Sequence, residues 1–155
     1  MQQPFGHSIT HKTFIRASVD KVYDTITSAK GWDAFFTNGF HIDLRPGGKL
    51  AFRWVDWGPD FYNLEAEGTV VKAVRPELFA FQWYPVGRET PTTVEFALEP
   101  AFGGSVVKLR ECGYPDTREG RAMILECAAG WGEALTLLKF YLEHGIVYSQ
   151  PTPDM

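Results

Sequence analysis

The residues best suited to proton transfer or metal ligation in this chain are four histidines, His7, His11, His41 and His144. As a set they are scattered without a metal-ligand pattern, so no metal site is expected. The sequence contains no Gly-x-Ser-x-Gly elbow, no P-loop and no dinucleotide fingerprint, and no cofactor is expected. Cys112 and Cys127 are the only cysteines. Two cysteines make no disulfide framework, which fits a reduced cytoplasm. Polar residues on faces that should point inward are the remaining chemical candidates. They are His11 and Thr13 on the first strand, Tyr62 in the middle of the chain and Glu111 on the last strand. Cys127 sits on an apolar helical stripe, where a thiol acts as a small core hydrophobe or as a reactive group.

The element that must position these residues is a long helix from Thr117 to Glu143. Ile124, Cys127, Trp131, Leu135, Leu138 and Leu142 recur at spacings of three and four, which puts them on one face. Gly130 and Gly132 flank Trp131 inside that run. Each costs roughly 1 kcal/mol against alanine. Close packing or a kink that seats the indole would explain them, and so would a flexible gate over a cavity. A broad apolar stripe needs a partner, and only a sheet is available.

Alternation supplies the sheet. Ile9 to Ala17 reads as a strand with Ile9, His11, Thr13, Ile15 and Ala17 inward. Ser18 caps a short helix, Val19 to Ser28, and Ala29 to Phe36 continues as a second. Strands follow at Phe40–Leu44, Lys49–Asp56, Phe61–Val74, Leu78–Tyr84, Thr92–Glu99 and Ser105–Cys112. Trp57-Gly58-Pro59-Asp60 reads as a turn. Tyr62, Leu64, Ala66, Gly68 and Val70 share a face that should be buried, and Gly68 suggests a bulge or a close approach. Val107, Leu109 and Glu111 share another inward face. Hairpin-length connections make the sheet antiparallel and bent. Met1 to His7 reads as a frayed arm and Ser149 to Met155 as a loose tail, with an ordered core from about residue 9 to 145.

At 155 residues the chain reads as one domain. Its formal net charge is −4 with no basic cluster, which argues against nucleic acid and against a polybasic membrane patch. No apolar run reaches the ~20 residues of a membrane span, and the N-terminus lacks the pattern of a signal peptide. These features suit a cytoplasmic protein. Five Trp and twelve Phe are more than a packed core of this size needs. Aromatic rings serve a filled core or line a ligand pocket, and the excess is a first hint of a hollow interior.

Several short stretches together resemble a known family. They are Ile15-Arg16-Ala17-Ser18-Val19-Asp20-Lys21-Val22, Trp32 with Phe35-Phe36, and Asp43-Leu44-Arg45-Pro46-Gly47-Gly48. Further on come Gly68-Thr69-Val70, Arg75-Pro76-Glu77-Leu78, Phe81-Gln82-Trp83 and Thr93-Val94-Glu95-Phe96. Gly103-Gly104-Ser105 and Gly130-Trp131, followed by Leu135, Leu138 and Tyr141-Leu142, complete the set. In order and spacing they resemble the helix-grip superfamily called START-like, Bet v 1-like or SRPBCC. Within it they resemble the branch related to the C-terminal domain of the activator of the heat-shock protein 90 ATPase.

The resemblance implies an α+β helix-grip fold, in which a strongly curved seven-stranded antiparallel sheet wraps a long C-terminal helix. It also implies that the first and last strands are antiparallel neighbours, bringing His11 near Glu111 as a polar anchor or acid/base pair. The wider superfamily binds lipids, hormones and polyketides. The expected function is therefore binding of a small apolar or aromatic molecule in a cavity between sheet and helix. Phe36, Trp54, Tyr62, Phe81, Trp83 and Phe96 are expected to line it, together with Leu98, Glu111, Met123, Cys127, Trp131 and Leu135. One alternative is a chaperone-partnered interaction module. Another is a cyclase- or hydrolase-type enzyme using His11, Glu111 or Tyr62. Exposed aromatics such as Trp57 or Tyr148 would serve a homodimer.

Overall fold

Three side-chain caps set where the helices begin. Ser18 accepts a hydrogen bond from the Lys21 amide, Ser28 from the Gly31 amide and Thr117 from the Gly120 amide. Each satisfies a backbone donor that the first helical turn leaves unpaired. The computed structural model describes residues 6–148. The elements run β1 (Ile9–Ile15), α1 (Val19–Ile26), α2 (Ala29–Phe35), β2 (His41–Ile42), β3 (Lys49–Trp57) and β4 (Tyr62–Val74). They continue with β5 (Leu78–Trp83), β6 (Thr92–Ala101), β7 (Gly104–Cys112) and α3 (Arg118–His144). The expected arm before Gly6 and the expected tail from Ser149 lie outside the described residues.

The seven strands form one antiparallel sheet in the order β1-β7-β6-β5-β4-β3-β2. The sheet is open, with β1 and β2 at its edges. This is the α+β helix-grip arrangement that the strand and helix order implied. Leu50, Phe52, Phe79, Phe81, Phe96, Val107 and Leu109 are buried on the sheet. Ile124, Trp131, Leu135, Leu138 and Leu142 are buried along α3 and belong to the same core. Each such side chain contributes roughly 1.5–3 kcal/mol when fully buried.

Trp32 on α2 ties the short helices to this core. It is 1% exposed, its Nε1–H donates to the Ile26 carbonyl at 2.7 Å, and its ring meets Phe35, Phe40, Phe52 and Trp131. The following loop is pinned by Asp33, whose Oδ1 accepts from the Thr37 hydroxyl and from the Gly39 and Phe40 amides at 2.8, 2.8 and 2.9 Å.

Four expectations need correction. Trp57 is not in a turn. It ends β3, is buried, and packs against Phe36 and Tyr148 at ring distances of 5.8 and 5.2 Å. Trp57 and Tyr148 therefore cover each other instead of offering a free aromatic surface. The inward row of β4 is not uniformly buried: Gly68 and Val70 are, but Tyr62 and Leu64 are 47% and 44% exposed. His11 lies on the inward face of β1, yet on an edge strand it is exposed to solvent. Finally, close packing does not explain Gly130 and Gly132, because a Cβ added at either would meet nothing within 4 Å. Gly68 is the opposite case. A Cβ there would lie 2.4 Å from the Gln82 carbonyl oxygen, so the approach of β5 demands glycine.

Candidate functional site

The period-two pattern of β7 sends Val107, Leu109 and Glu111 to the inner face. The first two extend the apolar core, and the third places a carboxylate in it. Glu111 has no solvent exposure. An unpartnered buried carboxylate costs several kcal/mol, so it must find donors. Its Oε2 accepts from the Trp83 Nε1–H at 2.7 Å and from the Thr92 hydroxyl at 2.5 Å, and its Oε1 accepts from the Trp131 Nε1–H at 2.9 Å. Those donors come from β5, β6 and α3. One carboxylate thus joins three strands to the long helix.

The two indoles held this way stand 5.5 Å apart at 43°. Their polar edges point back at Glu111, and both rings line the space in front. That space is a cavity of about 900 Å³ between β3–β5 and α3. Trp83 and Trp131 form part of its wall, with Phe36, Phe52, Trp54 and Trp57 beside them. Tyr62 and Leu64 on β4 face Met123, Glu126, Gly130 and Glu133 on α3 across the opening. The exposed inward row of β4 is therefore the rim of a cleft, uncovered because α3 does not close over it.

Behind the wall lies a second buried polar group. Tyr114 is fully buried, with its hydroxyl beside Glu111 and Cys127. Burial, then the nearby Glu111 and Cys127, push its pKa well above the ordinary phenol value. Cys127 lines the cavity, and burial pushes its thiol from 9.0 up to about 11, although the Tyr114 hydroxyl beside it acts in the opposite direction. Partial burial, with Cys127 and Glu126 nearby, also raises the Tyr62 phenol. All three groups stay protonated at neutral pH.

Seven of the twelve residues expected at the cavity do line it: Phe36, Trp54, Tyr62, Trp83, Met123, Cys127 and Trp131. Phe81, Phe96, Leu98 and Leu135 are packed in the core behind the wall, and Glu111 holds that wall from the rear. The expected His11–Glu111 pair does not form. The register sets Ile9 opposite Glu111 and His11 opposite Leu109, and both carboxylate oxygens are taken by Trp83, Thr92 and Trp131. Phe52 and Leu64 were missed although they lie on inward rows that the alternation identified. Gly130 had a signal too, as a costly glycine in a helix. Tyr84 and Arg88 lie on an irregular loop, where no periodicity could single them out. Among the described residues no group of three His, Cys, Asp or Glu side chains could hold a metal ion.

Two outcomes follow from this geometry. In Glu111→Gln an amide NH₂ replaces one accepting oxygen, so an indole N–H or the Thr92 hydroxyl loses its acceptor. Urea unfolding should show a loss of about 1–3 kcal/mol; an unchanged midpoint would contradict the bonding scheme. In a Cys112→Ser background, Cys127 should alkylate slowly near neutrality and faster as pH climbs toward 11. Its raised pKa leaves stability intact below pH 9.0, then lowers it as the unfolded thiol ionises first and pH rises to about 11. Rapid iodoacetamide labelling at neutral pH would contradict the burial.

The comparisons with known proteins agree with this architecture. Residues 16–143 match the family model described as Activator of Hsp90 ATPase homolog 1-like protein. The fold is similar to that of the Aha1 dimer from Colwellia psychrerythraea, with a TM-score of 0.75 and 24% identity over 90% of this chain and 98% of that one. It is similar to CalU16 from Micromonospora echinospora, with a TM-score of 0.68 and 22% identity over 89% of this chain and 77% of that one. DynU16, from the dynemicin biosynthetic locus, gives a TM-score of 0.73 at 16% identity over 91% of this chain and 49% of that one. Among curated proteins no match to the sequence is found. No helix among the described residues is long and apolar enough to cross a membrane. With its helix-grip sheet and a family match over most of its length, the chain belongs to the Activator of Hsp90 ATPase homolog 1-like family, a branch of the SRPBCC or Bet v 1-like superfamily.

Proposed function

We propose that this protein binds a small apolar or aromatic molecule in the cleft between β3–β5 and α3. One observation carries the reading: a cavity of about 900 Å³ lined by indole and phenyl rings, two of whose polar edges are already bonded to Glu111. That volume lies within the range of small-molecule sites, roughly 300–1,000 Å³. With the Trp83 and Trp131 N–H groups already bonded to Glu111, this part of the wall favours ring stacking and apolar burial over binding of a polar metabolite. The wall is rigid because its rings are anchored from behind, which lowers the ordering cost of binding. Similarity in fold to a protein from a natural-product locus supports the same reading.

Catalysis by Glu111 has less in its favour, since both its oxygens are engaged and it stands behind the wall. A protein-contact role is the second reading. It is supported by the family's description and by the relative described as a dimer, and Leu125 and Phe140 lie exposed on α3. Chaperone partnership and self-association both fall under it.

Gly130 separates the two readings. Its missing side chain borders open space and the cavity, so Gly130→Leu should fill the cleft without disturbing the core. The helix gains about 1 kcal/mol of propensity, so the variant should melt at least as high as the parent. Nile red, a neutral planar dye, should fluoresce with the parent protein and lose that signal with the variant. At a hundredfold excess over Kd a ligand stabilises the fold by about 2.7 kcal/mol, which a melting curve resolves. Equal dye binding by both proteins, or none by the parent, would contradict the cleft as a binding site.

A further inference from the structure

The walls of the cleft are neutral, but its mouth is not. The charged residues around it are Glu65, Glu67, Glu126 and Glu133 on the acidic side and Arg88 alone on the basic side. Arg88 is committed to Glu67, with Nη2 3.1 Å from Oε2. Glu65 stands opposite Arg53 across β3 and β4, in the row that alternates with the inward one. Glu126 and Glu133 remain. They are seven residues apart on α3, and therefore on one face of the helix. No Lys or Arg stands three or four residues from either one, where a helical partner would have to be. Neither makes an ion pair or hydrogen bond among the described residues, and both are exposed.

The chemistry of the wall points the same way. Trp83 and Trp131 spend their N–H groups on Glu111, which turns the most positive point of each indole edge away from the cavity they line. Trp54 and Tyr62 add two more rings, 6.1 Å apart, near the opening. Aromatic faces in a desolvated pocket attract a cation, and they offer nothing to a carboxylate or phosphate. The Tyr62 phenol lies beside Glu126 on the opposite rim, so ring and carboxylate meet at one point of entry. From this charge complementarity we infer that the occupant of the cleft is an aromatic or polycyclic molecule carrying a protonated amine, with its rings against Trp83 and Trp131 and its ammonium held by Glu126 and Glu133. The inference rests on the binding reading above and narrows it. Fatty acids and other anionic amphiphiles are disfavoured, because their headgroups would sit between two unpaired carboxylates.

A charge series on one ring body tests this. Protonated 9-aminoacridine, neutral acridine and acridine-9-carboxylate share their shape and differ in sign at about pH 8. Titrated by quenching of tryptophan fluorescence, they should bind in that order, with roughly a tenfold step from the cation to the neutral ring. The step should shrink as salt is raised, because the mouth is exposed. The double variant Glu126→Gln, Glu133→Gln should narrow the spread of the three affinities while its melting temperature shows an intact fold. Equal affinities in the parent protein, or a preference for the carboxylate, would overturn the inference and leave the binding reading in place. The same holds if none of the three binds while Nile red does. If Nile red is silent as well, the binding reading fails and the inference falls with it.

Discussion

Everything distinctive about this molecule depends on one buried carboxylate. Glu111 sits on the last strand where the alternation would otherwise place another aliphatic residue, with no solvent exposure. A charge there is tolerable only if donors surround it, and the chain brings two indoles and a hydroxyl from three different elements. Those hydrogen bonds fix the separation of α3 from the sheet and the angle at which Trp83 and Trp131 present themselves. Apolar packing alone specifies such orientations weakly, because rings slide over one another at little cost. A hydrogen bond to a fixed acceptor does not permit that.

The cleft follows from this arrangement. Rings tethered from behind cannot rotate to fill the space in front of them, and Gly130 withholds a side chain from the same space. The helix gives up roughly 1 kcal/mol at each of Gly130 and Gly132. Such a sacrifice is typical of a site that keeps room for something else. On the far rim, Tyr62 and Leu64 accept solvent exposure that their neighbours Gly68 and Val70 avoid on the same face. The core is complete toward β6 and β7, where Phe96, Val107 and Leu109 are buried, and open toward β3 and β4.

The fold was legible because its signals are local and periodic. The stripe from Ile124 to Leu142 could only be a helix, and the strands announced themselves by alternation and by Gly-Gly and Pro turns. The site was half legible. Inward rows located Trp54, Trp83 and Trp131, but periodicity reports a face and not a depth. Phe81 and Phe96 share the face of Trp83, yet they lie fully within the core. The His11–Glu111 pair failed for a related reason. The correct face was assigned, but a shift of two residues along β1 decides which side chain opposes Glu111, and that register is set by contacts distant in sequence. The partners that Glu111 does find are 28, 19 and 20 residues away, and no spacing rule connects them. Trp57 was placed in a turn by its Gly-Pro neighbours, whereas burial against Phe36 and Tyr148 extends the strand through it.

The most direct test is to follow the tryptophan side-chain N–H signals by NMR while a neutral aromatic ligand is added. The account predicts that the Nε1–H protons of Trp83 and Trp131 exchange slowly with solvent in the free protein, because Glu111 holds them. It further predicts that both signals move on ligand addition and stay protected, since the ligand stacks on their faces and leaves the hydrogen bonds untouched. Rapid exchange of either proton in the free protein, or signals indifferent to every aromatic ligand, would contradict the claim that Glu111 aligns a binding wall.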